Sequence, residues 1–155
     1  IEGDIDFIFG GAAAWFEDCN IVSIDGLRDH GDKKEPALGF CTAASTPEGQ
    51  EFGYVFMKCR FQGEGVPDGA IYLGRPWREF AKTVLLHGEL GAHIRPEGGH
   101  DWNKPCFPAT GYYAEFASTG AGSQGQRAAY VHQLTAEEAE KYTFERFWGS
   151  ISAEG

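Results

Sequence analysis

Two segments of this chain put charged side chains inside apolar runs. The stretch IDFIF (5–9) carries Asp6 within an otherwise hydrophobic strand pattern, where a carboxylate is costly unless it is paired or put to use. The stretch YLGRPW (72–77) carries Arg75 and Trp77 two residues apart across a proline, which sets a cation and a flat aromatic surface on one face of a strand. Carbohydrate sites use that combination, because rings stack on sugar faces and a guanidinium holds a carboxylate through two parallel hydrogen bonds. Each segment also has a plainer reading. Asp6 can be a strand-edge acid that bonds a turn, and Arg75 a surface cation beside a core tryptophan. The two segments together say more than either alone, provided the fold brings them within reach.

The elements that must do so are strands. Strand-like runs cover IDFIF (5–9), AAAWFEDCNIVSI (12–24), ALGFCTA (37–43), GYVFMKCRF (53–61), AIYLGRPW (70–77), KTVLLHGEL (82–90) and GYYAEFA (111–117), separated by polar, Gly- and Pro-containing stretches such as GLRDHGDKKEP and RPEGGHDWNKP. The first six fall into three successive pairs. Aligning the first members matches Asp6, Thr42 and Arg75, spaced by 36 and 33; aligning the second members matches Cys19, Cys59 and His87, spaced by 40 and 28. Regular strands with loops of varying length suit a solenoid. The runs do not alternate cleanly, which favours parallel strands in stacked rungs over a solvent-faced antiparallel sheet. A β-sandwich is the competing fold. In a solenoid, Asp6 and Arg75 lie two rungs apart, roughly 10 Å between backbones, and their side chains can bridge that. An oriented carboxylate in a groove is a candidate nucleophile. One helix is expected over 134–149, with Thr135 as its N-cap, Glu138 as capping-box partner, and Ala139, Tyr142 and Phe147 on its apolar stripe.

Composition narrows the function. With 13 Lys and Arg against 23 Asp and Glu, the net charge is −10, which argues against a nucleic-acid partner. No apolar run is long enough for a membrane helix. Apolar residues make up 42% and aromatics 14%, too much for a disordered chain. The four cysteines, Cys19, Cys41, Cys59 and Cys106, form no CxxC pair and have no histidine at zinc-ligand spacing, so no metal site is expected. Disulfides and buried thiols both remain open for them. The chain begins at Ile1 inside a strand pattern. It reads as a single domain over 1–155, truncated on its N-terminal side. His87 is read as structural, and His30, His93, His100 and His132 receive no catalytic role. Trp15, Trp102 and Trp148 are assigned to core or loop packing, and Glu137, Glu138 and Glu140 to a solvated helix face.

The stretches IEGDIDFIFGGAAAWFEDC and YLGRPWREFAKTVLLHGELGAHIRPEGGHDW resemble the two signature regions of pectin methylesterases (pectinesterases), and GYYAEFASTGAGS resembles a later segment of that family. The likeness runs in order along nearly the whole chain. It implies an all-β, right-handed parallel β-helix with a short C-terminal helix. It also implies hydrolysis of methyl esters on the galacturonate units of pectin, giving methanol and pectate, with no cofactor. By the resemblance Asp6 is the nucleophile, Arg75 hydrogen-bonds it, Trp77 lines the sugar groove, and Phe9 lies near the substrate. The substrate is methyl-esterified pectin, from which secretion is inferred. The sequence departs from the family pattern at Gly11, where asparagine is usual, and at Asp4, which adds a second acid near Asp6. The general acid and the oxyanion-stabilising glutamines of the family belong to a segment before the nucleophile that this chain does not contain. The alternative is a pectin-binding β-helix without catalytic activity, or an inactive homologue. A lyase on a similar solenoid fits less well, because it requires clustered acids for calcium.

Overall fold

The computed structural model describes residues 1–25 and 39–152. The segment 26–38, with the GLRDHGDKKEP stretch, His30 and the start of the run at 37, lies outside the described residues. Among the described residues twelve strands form three sheets, and every strand pair is parallel, which excludes a β-sandwich. The chain is a right-handed parallel β-helix.

Strand β1 (Glu2–Gly3) is followed by one complete coil, β2 (Ile5–Gly10), β3 (Ala14–Glu17) and β4 (Asn20–Ile24). The next two coils are β5 (Gly39–Ala44), β6 (Tyr54–Met57) and β7 (Arg60–Glu64), then β8 (Ile71–Pro76), β9 (Lys82–Leu86) and β10 (Glu89–Leu90). The last turns are marked by a one-turn helix α1 (Phe107–Thr110), β11 (Tyr112–Phe116) and β12 (Val131–Gln133). Equivalent strands stack into sheets of order β2-β5-β8, β3-β6-β9-β11-β12 and β1-β4-β7-β10.

The long runs expected at 12–24, 53–61 and 82–90 each split into two strands. The break falls at Asp18, Lys58 and His87, with φ of 53°, 54° and 54°, and Ala117 makes the same corner at 52°. Left-handed backbone costs about 1–2 kcal/mol for a residue with a Cβ. The stacked geometry offsets that cost by carrying the hydrogen-bond ladder through the bend: Asp18 N–H donates to Met57 O, Lys58 N–H to Leu86 O and His87 N–H to Phe116 O, at 3.0, 2.9 and 2.8 Å. His87 is therefore the equivalent of Lys58, one place away from the alignment with Cys59 drawn from the sequence. Thr42 likewise pairs with Gly74, and Arg75 with Ala43.

Both faces of the β3-β6-β9-β11-β12 sheet are apolar, which is why its strands do not alternate. Phe56, Leu85 and Tyr113 point into the solenoid core with Ile21, Phe61, Ile71 and Leu90. Phe16 and Phe56, register partners on β3 and β6, stack at 4.6 Å and 9°. The other face, with Val55, Val84, Leu86 and Ala114, packs under Ala139 and Phe147. The expected single helix over 134–149 is instead two: α2 (Ala136–Ala139) and α3 (Phe144–Ser152). Thr135 caps the first through Glu138 N–H, and Thr143 caps the second through Arg146 N–H, each at 3.2 Å. The second cap starts a separate helix, and Ala139 of the first and Phe147 of the second pack in the same apolar cluster against the sheet. Trp15 packs on Phe144 and Phe147, whereas Trp148, expected in a core or loop, is 58% exposed.

Cys41 and Cys59 are buried thiols, Cys19 is half-buried and Cys106 exposed; none forms a disulfide. Burial pushes the Cys41 thiol up to about 12 and Cys59 up to about 11. Two predictions follow from this packing. A thiol reagent should modify Cys106 in the native chain and reach Cys41 and Cys59 only on unfolding; equal rates at all four positions would contradict the burial. At Gly74 an added Cβ would overlap the Thr42 hydroxyl, which donates to Leu73 O. Gly74→Ala should cost about 1–3 kcal/mol of stability in urea titrations, and adding Thr42→Ala should recover most of the loss.

Candidate active site

Asp6 sits where β2 departs from regular pairing. Ile5 pairs with Phe40 and Ile8 with Thr42, so Asp6 and Phe7 together face Cys41. This is a β-bulge, and Asp6 takes a left-handed φ of 52° in it. Asp and Asn tolerate that region better than most residues. The bulge resets the alternation of the strand. Phe7 and Ile8 both meet the core, while Asp6 and Phe9, three residues apart, both turn outward. The end of β2 is pinned by Tyr54, whose hydroxyl donates to Gly10 O at 2.8 Å.

Arg75 reaches Asp6 from β8, two coils on. Its Nε donates to Asp6 Oδ1 at 2.9 Å and its Nη2 to Oδ2 at 2.6 Å. The side chains are 17% and 15% exposed, enough for a small reactant to approach and too little for water to screen the pair fully. Phe9, 56% exposed, meets Trp77 edge to face with centroids 4.9 Å apart, and Trp77 lies 5.1 Å from Trp102. Beyond Trp77 a cleft of about 590 Å³ is lined by Arg78, Phe80, Trp102, Lys104 and Cys106 among others. The four residues picked from the sequence thus fall together as two contacts, Asp6 with Arg75 and Phe9 with Trp77, on one side of the solenoid.

A family model for pectinesterases matches residues 1–150. The chain belongs to the pectinesterase family. It is 35% identical over 149 residues to pectinesterase 31 of Arabidopsis thaliana, a match covering 95% of this chain and 43% of that protein. To pectinesterase/pectinesterase inhibitor U1 of Solanum lycopersicum it is 34% identical over 160 residues, covering 95% of this chain and 26% of that protein. Among solved structures, the pectin methylesterase from carrot superposes with a TM-score of 0.79 at 29% identity, over 97% of this chain and 48% of that one. A pectin methylesterase mutant in complex with a hexasaccharide superposes with a TM-score of 0.76 at 28% identity, over 96% of this chain and 48% of that one. The chain spans less than half the length of these relatives.

Within this pectinesterase framework three residues escaped the sequence reading. Phe40 and Trp102 each place a ring centroid 4.0 Å from the Arg75 guanidinium carbon, and Tyr54 braces β2. Trp102 was assigned to packing; its setting in HDWN, amid side chains that bond nearby backbone, is the one signal that marked it. Phe40 and Tyr54 look like ordinary strand aromatics, and nothing local sets them apart. Among the described histidines, His100 comes nearest to the pair's surroundings through its ring, which meets Phe40 and Tyr72. Among the described residues no cluster of three or more His, Cys, Asp or Glu is arranged to hold a metal ion.

The ion pair makes a stability prediction of its own. Arg75→Gln strands the Asp6 carboxylate in a largely buried position and should cost about 2 kcal/mol at neutral pH, less than for a fully buried pair. Adding Asp6→Asn, which keeps a residue that tolerates the left-handed backbone, should recover most of that loss. Equal urea midpoints for the single and double variants would refute the coupling.

Proposed function

We propose that this chain is the nucleophile-bearing part of a pectin methylesterase, acting on methyl-esterified galacturonate units and producing methanol and pectate. The observation that carries the reading is the Asp6 carboxylate, held by both oxygens to Arg75 beside exposed Phe9 and half-buried Trp77. Each carboxylate oxygen spends one lone pair on Arg75 and keeps another for attack. In the proposed reaction one Asp6 oxygen bonds to the ester carbonyl carbon. The bond from that carbon to the methoxy oxygen breaks, and methanol leaves with a proton. An acyl-enzyme joined through Asp6 remains. Water adds to the acyl carbon and gives up two protons, one restoring the proton donor and one passing to solvent; the bond to Asp6 breaks, which regenerates the Asp6 carboxylate and leaves the galacturonate carboxylate as product.

Arg75 fixes the plane of the nucleophile throughout, and orientation of this kind is a large part of what an enzyme supplies. Trp77 and Phe9 offer ring faces and edges to the sugar. By the family resemblance, the proton donor and the oxyanion-stabilising amides come from a segment preceding the nucleophile strand, so the reading assigns neither role within this chain. The substrate is a polymer of the plant cell wall, and we place the activity outside the cell on that ground.

The test is methanol release from highly methylated pectin, by this chain alone and joined to the segment that precedes the equivalent aspartate in its relatives. The joined form should release methanol, and Asp6→Asn should reduce its turnover at least about 10³-fold while the melting transition is kept. Activity of Asp6→Asn within tenfold of the parent would refute the nucleophile assignment. Pectin binding without methanol release in either form would favour the binding-module alternative.

A further inference from the structure

A column of cations and rings runs beside the Asp6–Arg75 pair. The Arg95 guanidinium carbon lies 4.7 Å from the Tyr72 centroid. Tyr72 stacks on Phe40 at 5.3 Å with planes 7° apart. Arg75 lies 4.0 Å from the centroids of both Phe40 and Trp102, and Lys104 Nζ is 5.1 Å from Trp102. Phe40 and Tyr72 are register partners on β5 and β8, so the sheet itself sets that side of the column. Trp102 belongs to no strand and has to be held by its loop.

That loop is tightly determined. His100 N–H donates to Gly74 O at 3.0 Å, tying the loop to the residue before Arg75. His100 Nδ1 then accepts from Trp102 N–H, and Asp101 Oδ1 from Asn103 N–H, both at 2.8 Å. Trp102 and Asn103 both have φ of 51°. Two successive left-handed residues, neither of them glycine, persist only where their surroundings over-determine them. Here the surroundings are two side chain to backbone hydrogen bonds and an arginine under the tryptophan ring.

We propose that Trp102 is a positioning residue that acts through Arg75. The bidentate bond fixes the guanidinium relative to the Asp6 carboxylate, but leaves the two free to swing together on their side chains. Phe40 on the sheet and Trp102 on the loop fix the guanidinium relative to the backbone, and so aim Asp6 before any substrate arrives. The role rests on the reading of Asp6 as the nucleophile; the geometry on which it is tested does not.

Heteronuclear NMR of the arginine Nε–H groups tests it in the chain as it stands, with the Arg75 signal assigned by its loss in Arg75→Lys. In the parent chain this signal should exchange slowly with water, at a position set jointly by deshielding from the Asp6 hydrogen bond and shielding by the two rings. Trp102→Leu should move it downfield as that ring's shielding is lost and speed its exchange about tenfold, and Trp102→Phe should restore both properties. Arg127, bound to Glu115 in another part of the fold, serves as the internal control and should not respond. Exchange of the Arg75 signal as fast as that of an exposed arginine in the parent chain would overturn the proposal. So would a Trp102→Leu chain with Arg75 and Arg127 both unchanged, or a Trp102→Phe chain that behaves like the leucine variant. Should Trp102→Leu disturb Arg127 as well, the parent exchange rate and the phenylalanine variant decide. A slowly exchanging, Trp102-dependent signal in a protein that never releases methanol would support the clamp while removing the esterase reading, so the two ideas fail separately.

Discussion

The structure turns on the hydrogen bonds between Asp6 and Arg75, which join residues 69 positions apart in sequence. Such a contact needs two stacked coils in correct register. A slip of one residue in either parallel pairing, β2 with β5 or β5 with β8, would send a whole set of side chains to the opposite face. What holds the register is distributed. In-register stacks such as Phe16 on Phe56 and Phe40 on Tyr72 reward the correct alignment, and the glycine of LGRPW leaves room for the Thr42 hydroxyl on the neighbouring strand. Residues remote from the site thereby decide whether its two charges meet.

The bulge at Asp6 shows the second constraint. A regular strand would send Asp6 and Phe9 to opposite faces, because they are an odd number of residues apart. Left-handed backbone at Asp6 turns both outward while Phe7 and Ile8 stay in contact with the core. The strain is therefore placed at the carboxylate itself, and the bonds from Arg75 help to hold it there.

Residue chemistry singled out Asp6, Arg75 and Trp77, the family resemblance added Phe9, and the structure brings the four together as two contacts; the parallel solenoid was legible from paired runs with loose spacing. The corners were not legible. Left-handed bends are usually announced by glycine or asparagine, and here Asp18, Lys58, His87 and Ala117 make them, because stacked neighbours supply the hydrogen bonds that stabilise the turn. The missing corners also explain the alignment error at His87. The break between α2 and α3 was hidden for a similar reason. The run TAEEAEKYTFERF has helical composition throughout, and Thr143 reads as a helix-interior residue, whereas in the fold its hydroxyl accepts from Arg146 N–H and caps a second helix. Phe40 and Trp102 were missed because their role lies in a contact with Arg75, and nothing in the sequence encodes that approach.

A second ion pair in the same molecule separates a structural arginine from one that leaves chemistry open. Arg127 holds Glu115 through Nε at 2.6 Å and Nη2 at 3.1 Å, much as Arg75 holds Asp6. Around it everything is closed. Glu115 also accepts from Ser118 and Gln133, and Arg127 donates further to the carbonyls of Arg95, Pro96 and Gly122. Glu115 is 3% exposed, and its acceptor capacity is used up in joining the last coil to the loops around it. Asp6, among the described residues, accepts side-chain hydrogen bonds only from Arg75, and the faces of Arg75 are met by rings that take up no lone pairs of the carboxylate. The guanidinium is held as firmly as in the structural pair, but by contacts that leave its partner half unsatisfied. A carboxylate oriented in that way, at the rim of an aromatic cleft, retains the capacity to bond to something else.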